Sequence, residues 1–526
     1  MDRIIWTDRA GQVKSAFLHA WNSYEKYAWG YDEVLPISVG STNNFNGWGV
    51  SIVDSLDTLL LLGLGPQFDR AMDHVNALNF TQSQHDVAPF FETTIRYLGG
   101  LLSAYALIAN TLLTRADQLG LALLHAFNTT SGLPAWGVNT VTHRQQNTYS
   151  ALLAEIGSCQ MEYKYLAYLT GRKEYFDTVN DITDRMERAQ LEEEEFVRTG
   201  GLNGMWGTRW DIGSGESVDQ YIAVGALADS AYEYLLKGYL LSGRTEKRLL
   251  DMYLAASTTA LQNLTYISPT RNLLYITDST NAYPSHKFEH LSCFFPGLLS
   301  LGDKTRGSFG SSYTSLLGPL TPSQLRDRHS IAAQGVAETC WVLYGDNPTG
   351  LGSETVLFDR PTGGPTYDMS AGRWWDAIDA WESVGRKGAL KGSGKKDKKE
   401  KIKMDYTVQD ARWLMRPETL ESLFLMYRYT GDEVWRERCW KVFEGMEKYS
   451  RLGQSGEGGG PKSKNLDDKG DGYALAETFK YIYLCLLDPS ESEALLPKDK
   501  WIFNTEAHPF PVFEWSERQI EEWGIR

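Results

Sequence analysis

No stretch of this sequence is apolar for long enough to cross a bilayer, and its opening residues, MDRIIWTDRAGQ, lack the apolar core of a signal peptide. Read alone, that start belongs to a cytosolic protein or to one whose targeting segment has been removed. Cysteine is scarce. The five, Cys159, Cys293, Cys340, Cys439 and Cys485, include no CxxC pair and no histidine partner at zinc spacing. The common zinc frameworks are thereby excluded, a disulfide stays open, and no EF-hand loop is present. Basic residues are outnumbered, 52 against 67 acidic, for a formal charge of −15. That excess argues against a nucleic-acid groove, since phosphate binding needs a basic surface. The one basic run, Lys387 to Lys403, is low in complexity and reads as a solvated insertion loop; the glycine-rich stretch from Gly453 to Gly472 reads as a second. No Pro/Ser-rich linker divides the 526 residues. The length would normally suggest several domains, yet one helical domain over 1–526 fits better, because rings and solenoids escape the usual size limit.

What the sequence has in quantity is helical periodicity. Apolar residues recur three and four apart in RAGQVKSAFLHAWNSYEKYAWG, SIVDSLDTLLLLGL, ETTIRYLGGLLSAYALIA, LLAEIGSCQMEYKYLAYLTG, IAAQGVAETCWVLY and AETFKYIYLCLL, while strand-like alternation is confined to short pieces such as NLLYITD. Three segments, YLAYLTGRKEYFD, YLLSGRTEKRLLDMY and YRYTGDEVWRERCW, run an aromatic-rich helix into glycine, a charged turn and another amphipathic helix. Gly171, Gly243 and Gly431 suit the position after a helix where φ is positive. The pattern is a degenerate helical hairpin, and hairpins closed into a ring give an (α/α) toroid whose inner helices end at a central pocket. Aromatic content is high, with 17 Trp, 28 Tyr and 20 Phe, which suits a large helical core and also sites that stack on sugar rings.

Charged side chains break into the apolar helices at three places. FFETTIRYLGG carries Glu92 and Arg96, GALADSAYEYLLKGYLLSG carries Asp229 and Glu233, and RWLMRPETLESLFLMYR carries Arg416, Glu418 and Glu421. Spaced three or four apart, such residues share a helix face. A charged face in core-like sequence is costly unless it lines a polar cavity. Three acidic clusters of this kind read as a carboxylate-lined pocket, and glycoside hydrolysis is the chemistry that uses one.

An ordered series of segments resembles glycoside hydrolase family 47, the class I α-1,2-mannosidases, in its fungal or Golgi-like type: YDEVLP, DSLDTL, FETTIRYLGGLLSAY, ADSAYEYLLK, HLSCFFPG, ETCW, RPETLESLFLMYRYTGD, AETFKYIYL and FNTEAHP, from Tyr31 to Pro509. The resemblance implies an all-α (α/α)7 barrel. It implies an inverting, Ca2+-dependent hydrolase acting on high-mannose N-glycans. By motif position Glu92 is the general acid, with Arg96 orienting it, Glu418 is the general base, and Asp229 is the third essential carboxylate. Thr505 of FNTEAHP is the implied calcium ligand, through its hydroxyl and carbonyl. Glu155, Glu233, His290, Arg416, Glu421, Tyr473, Glu477 and Glu506 fall at positions around the sugar or the metal; for each, the plainer reading is a buried ion pair or a cap. Cys293 and Cys340 match the family's disulfide, which leaves Cys159, Cys439 and Cys485 free and buried. The family's setting is the secretory lumen, Golgi or endoplasmic reticulum, or secretion, so the resemblance implies a missing N-terminal anchor or signal; a monomer is expected.

Two positions depart from the narrow endoplasmic-reticulum members. Leu227 stands two residues before Asp229, where those members carry arginine, and this points to removal of several mannoses. DGYALAET has Tyr473 for the sugar-stacking phenylalanine and Gly472 for serine. The competing reading is a slow-trimming or non-catalytic glycan-binding relative in quality control. Such proteins usually carry a C-terminal extension, and this chain stops at Arg526. Three sequons, at Asn79, Asn128 and Asn263, favour the secretory pathway weakly.

Overall fold

The computed structural model describes residues 2–81, 86–108, 111–147, 149–191, 201–305, 320–361, 368–392, 404–451 and 472–526. Within them the helical hairpins alternate between two layers. The outer helices are α1 (Asp2–Tyr27), α3 (Gly65–Ala77), α5 (Leu112–Leu123), α7 (Lys173–Leu191), α9 (Lys247–Asn263), α11 (Pro322–Gly345) and α13 (Glu433–Tyr449). The inner ones are α2 (Leu56–Leu61), α4 (Gly99–Ile108), α6 (Gln160–Thr170), α8 (Asp229–Leu241), α10 (Phe295–Thr305), α12 (Glu418–Thr430) and α14 (Phe479–Leu486). Each inner helix packs on an outer partner, α14 taking α1 and so bringing chain start and end together. Inner helices also touch in succession, α2 to α4, α6, α8, α10, α12 and α14. The segment leading into α14 returns to α2 and closes the ring. This is the (α/α)7 barrel.

Layer explains pattern. In α8 every residue from Ser230 to Leu241 is buried, because outer helices cover one side and inner neighbours the other; the helix is mostly apolar, and its buried charges Glu233 and Lys237 pair with each other. The approach is close: a Cβ on Gly157 would sit 2.5 Å from Ala231 Cβ on α8, so only glycine fits. Gly171 (φ 71°) and Gly431 (φ 71°) end α6 and α12 in the left-handed conformation, and Gly243 (φ 60°) follows α8 in the same way.

Short antiparallel strands gather where the inner helices begin. β1 (Lys287–Glu289), β2 (Thr355–Phe358) and β3 (Tyr406–Asp410) form one sheet, in that order. β4 (Trp501–Phe503) and β5 (Pro509–Pro511) form a hairpin paired Phe503 to Pro509, and its turn, 504–508, enters the barrel. The disulfide joins Cys293, before α10, to Cys340 in α11. Cys159, Cys439 and Cys485 are free and buried. Of the two insertion loops read from sequence, residues 393–403 and 453–471 lie outside the described residues. Lys387 is exposed, but Gly472 is buried, its N–H donating to Glu33 Oε1 at 2.8 Å, so that end belongs to the barrel and not to a loop. Among the described residues no helix is long and apolar enough to cross a membrane.

Candidate active site

Backbone irregularities set the acidic side chains at the helix starts. Glu92 ends a single helical turn (Phe90–Glu92) and is followed by a π-helical stretch, Thr93–Leu98; a second, Ala474–Thr478, carries Glu477. π-turns are rare and concentrate at functional sites. Non-glycine residues with positive φ lie beside three of the acidic segments: Leu227 (75°), Met415 (58°) and Ala507 (58°). Such backbone is strained and persists only where its surroundings enforce it. Leu227 is held by its carbonyl, which accepts from Ala154 N at 2.9 Å. The helical face expected to carry Arg416, Glu418 and Glu421 together is shorter than that: α12 starts at Glu418, and Arg416 precedes it. Pro417 accounts for this, since the residue before proline is pushed out of helical geometry. Arg416 Nε instead donates to Glu354 Oε2 at 2.7 Å.

Glu418 is the first residue of α12, and one oxygen meets His290 Nδ1 at 2.9 Å. A carboxylate only accepts, so Nδ1 carries a proton; Nε2 lies 2.7 Å from Tyr344 Oη and 3.1 Å from Thr419 Oγ1. Burial by itself would raise the Glu418 carboxyl, but the His290 hydrogen bond and the Arg416 charge outweigh it and hold it below the ordinary glutamate value. Asp229, at the start of α8, is treated in the opposite way. Burial, with Glu418 and Glu233 nearby, pushes it up to about 7 despite a hydrogen bond from Ser230 N at 2.7 Å.

The other acids surround this pair. Glu92 Oε2 accepts from Arg96 Nε at 2.8 Å, and the same guanidinium bonds Glu506 and lies 3.4 Å from Asp54. It sits 5.9 Å over the Tyr473 ring and 5.3 Å over Phe45. Burial alone would lower Arg96; Glu506, Glu92 and Asp54 raise it well above its usual value. Glu155 caps its own short helix (Leu153–Gly157), accepting from Leu152 N at 2.9 Å, and burial and Glu92 both push it up. Glu233 and Glu421 grip the buried Lys237 ammonium, Glu421 at 3.1 Å. Burial, with Glu233 and Glu418, still pushes Glu421 up to about 7. Glu477 and Glu506 are raised by burial, Glu477 further by Glu506 and Glu418. Glu155, Glu233 and Glu421 therefore have the cap and ion-pair contacts of the plainer reading, at the edge of the same acidic cluster.

Several members of the cluster carry no obvious mark in the sequence. Asp54 and Asp57 flank His508, at 3.1 and 2.8 Å from its two ring nitrogens, and Lys480 Nζ lies 2.9 Å from Asp57. Burial would raise Asp57; Lys480 and His508 pull it down to about 2. Asn504 holds the β4–β5 turn, its Oδ1 accepting from Glu506 N and His508 N, its Nδ2 donating to Ile95 O and to Glu162 Oε1. The motif FNTEAHP contains three of these residues, and the DSLDTL segment two more, but only their cross-chain partners reveal the network.

Thr505 sits half-buried at the tip of that turn, its N–H 3.4 Å from Tyr234 Oη. Among the described residues no three acidic, histidine or cysteine side chains converge closely enough to chelate a metal directly. The surroundings nevertheless suit calcium, a hard cation that takes oxygen ligands and tolerates water among them. Glu506 follows Thr505 in the same turn, and the acids of this cluster outnumber Arg96, Lys237, Arg416 and Lys480; such an excess favours a bound cation.

A helical barrel whose inner helices converge on paired carboxylates of opposed ionisation has the arrangement of a glycoside hydrolase. The sequence pattern of Glycosyl hydrolase family 47 matches residues 16–512, and the chain belongs to that family. It is 34% identical over 528 residues to the endoplasmic reticulum mannosyl-oligosaccharide 1,2-alpha-mannosidase of Schizosaccharomyces pombe, covering 97% of this chain and 90% of that protein. It is 32% identical over 521 residues to mannosyl-oligosaccharide alpha-1,2-mannosidase IA of Spodoptera frugiperda, covering 95% of this chain and 66% of that one. Among solved structures it is similar to the alpha-1,2-mannosidase from Trichoderma reesei, with TM-score 0.77, 28% identity and coverage of 96% and 99%.

Proposed function

We propose that the protein is an inverting, calcium-dependent exo-α-1,2-mannosidase that removes several terminal mannoses from high-mannose N-glycans in the secretory lumen. The observation that carries this is the likeness to α-1,2-mannosidases along nearly the whole chain, over a barrel in which Asp229 and the His290-bonded Glu418 stand at the starts of two inner helices. Inversion in one displacement needs a protonated acid for the leaving oxygen and an ionised base for water on the opposite face. Glu418, ionised and oriented by His290, takes the proton of the attacking water. Asp229, the carboxyl that keeps its proton near neutral pH, supplies one to the departing glycosidic oxygen. Motif position favours Glu92 for that second task. Its hydrogen bond to Arg96 supports a different part, namely positioning the sugar with Arg96 and Glu506. Tyr473, its hydroxyl tied to Leu414 O, offers a ring for the pyranose to stack on. Thr505 would hold calcium, which when bound supplies charge and oxygen coordination for sugar hydroxyls. Leu227 leaves open the space that a larger residue would deny to some glycan branches. One catalytic domain, working as a monomer, is sufficient for this chemistry, and the relatives' names and the disulfide support a lumenal setting.

The test is mass spectrometry of a high-mannose N-glycan incubated with the protein, with and without EDTA, alongside NMR of the first-formed mannose anomer. Stepwise hexose loss that stops in EDTA and starts from the inverted anomer is expected. Retention of configuration would reject the roles given to Asp229 and Glu418. Glycan binding without hexose loss in calcium would instead support the non-catalytic relative.

A further inference from the structure

Three sequons are available, and they differ sharply once folded. We propose that Asn79 carries an N-linked oligosaccharide while Asn263 does not; this rests on the lumenal setting proposed above. Asn79 is exposed just beyond α3. Its Oδ1 accepts from Thr81 Oγ1 at 2.7 Å and from Thr81 N at 3.0 Å. The amide oxygen is thus turned toward the threonine, and the nitrogen is the atom left for attachment. Between them Phe80 is buried at 5% exposure, its ring edge-on to Trp48 at 5.2 Å, and its carbonyl accepts from Thr140 Oγ1 at 2.6 Å. The tripeptide is therefore pinned by its middle residue, with its first facing water. A bulky, hydrated sugar is tolerated only on such a surface.

Asn263 is the last residue of α9. Its Nδ2 donates to Thr259 O at 3.1 Å, and Thr265 is fully buried with Oγ1 on Ala260 O at 3.1 Å. A sugar on that nitrogen would cost the helix-end bond and crowd the strand pairing of Thr265 with Ile276. Asn128 and the threonine of its sequon, Thr130, are both exposed as well.

The donor required is an oligosaccharide linked to a lipid pyrophosphate. Asn79 Nδ2 forms the new bond to C1 of the first sugar and loses a proton, and the lipid pyrophosphate leaves. The full chain, directed into the secretory pathway of a eukaryotic cell, should be treated with peptide:N-glycosidase in 18O water and mapped by peptide mass spectrometry. The expected result is the 18O label at position 79 and none at 263. Asn79→Gln and Thr81→Ala should each remove one glycan's shift on a gel, Thr81→Ser should keep it, and trimming activity should be unchanged throughout. Absence of label at Asn79, in protein whose Cys293–Cys340 bond shows that it entered an oxidising lumen, would overturn the proposal, as would label at Asn263. Hexose loss from added glycan by that same preparation reports on the mannosidase reading separately.

Discussion

Asp229 and Glu418 are both carboxylates at the start of an inner helix, and their neighbours alone give them opposite ionisation. General acid–base groups contribute roughly 10²–10⁴-fold to rate, so Glu418→Gln should cost that much in kcat with glycan binding retained; a near-normal rate would remove Glu418 from the base role. The pH dependence has a definite sign. With Glu418 as the base, activity should fall as pH drops through a value below the ordinary glutamate range. With Asp229 as the acid, it should also fall as pH rises through about 7. His290→Ala should move the acid limb of kcat/KM to higher pH, because the hydrogen bond that depresses Glu418 is gone. If Asp229→Asn retains measurable turnover with the alkaline limb intact, Glu92 is the acid. Lys237→Ala leaves Glu233 and Glu421 buried without their cation and should destabilise the fold by about 3–5 kcal/mol, read by urea unfolding. Glu92, Asp229 and Glu418 stood out in the sequence because charge in an apolar helix is conspicuous. Asp54, Asp57 and His508 did not, since the contacts that join them span more than 400 positions along the chain.

Elements were legible where periodicity rules and less so where backbone strain does. The helices could be read from apolar spacing, and glycine marked the ends at Gly171 and Gly431. The two π-helical stretches and the left-handed Leu227, Met415 and Ala507 leave no comparable pattern, for tertiary contacts impose them. Arg416 was misplaced on a helix for a simpler reason, a Pro417 whose effect on its predecessor outweighed the apolar run. Because Leu227 fixes the approach to α8, Leu227→Arg should narrow the range of products; an unchanged ladder in mass spectrometry would mean that branch choice is set elsewhere. Gly157→Ala drives a methyl group into Ala231, two residues from Asp229. Overpacking of this kind costs about 1–3 kcal/mol, and the expected outcome is a lower unfolding midpoint together with a lower kcat.

On the scale of the whole molecule, closure matters most. The ring was inferable from repeated hairpins, but the partnership of α1 with α14 emerges only from the fold. The Cys293–Cys340 bond ties the segment bearing His290 to α11, and replacing both cysteines by alanine should cost about 2–4 kcal/mol, measured by denaturant unfolding under non-reducing conditions. Arg96 reaches Glu506, and Asp54 reaches His508, so the acidic cluster joins residues near both ends of the chain. A polypeptide still emerging from the ribosome therefore has an incomplete cluster until the turn at 504–508 arrives. Translation that stops before that turn leaves Asp54 and Asp57 without His508, Arg96 without Glu506 and Lys480 without the Ala507 carbonyl. Such a fragment is an object for the cell's own quality control before it can touch a glycan.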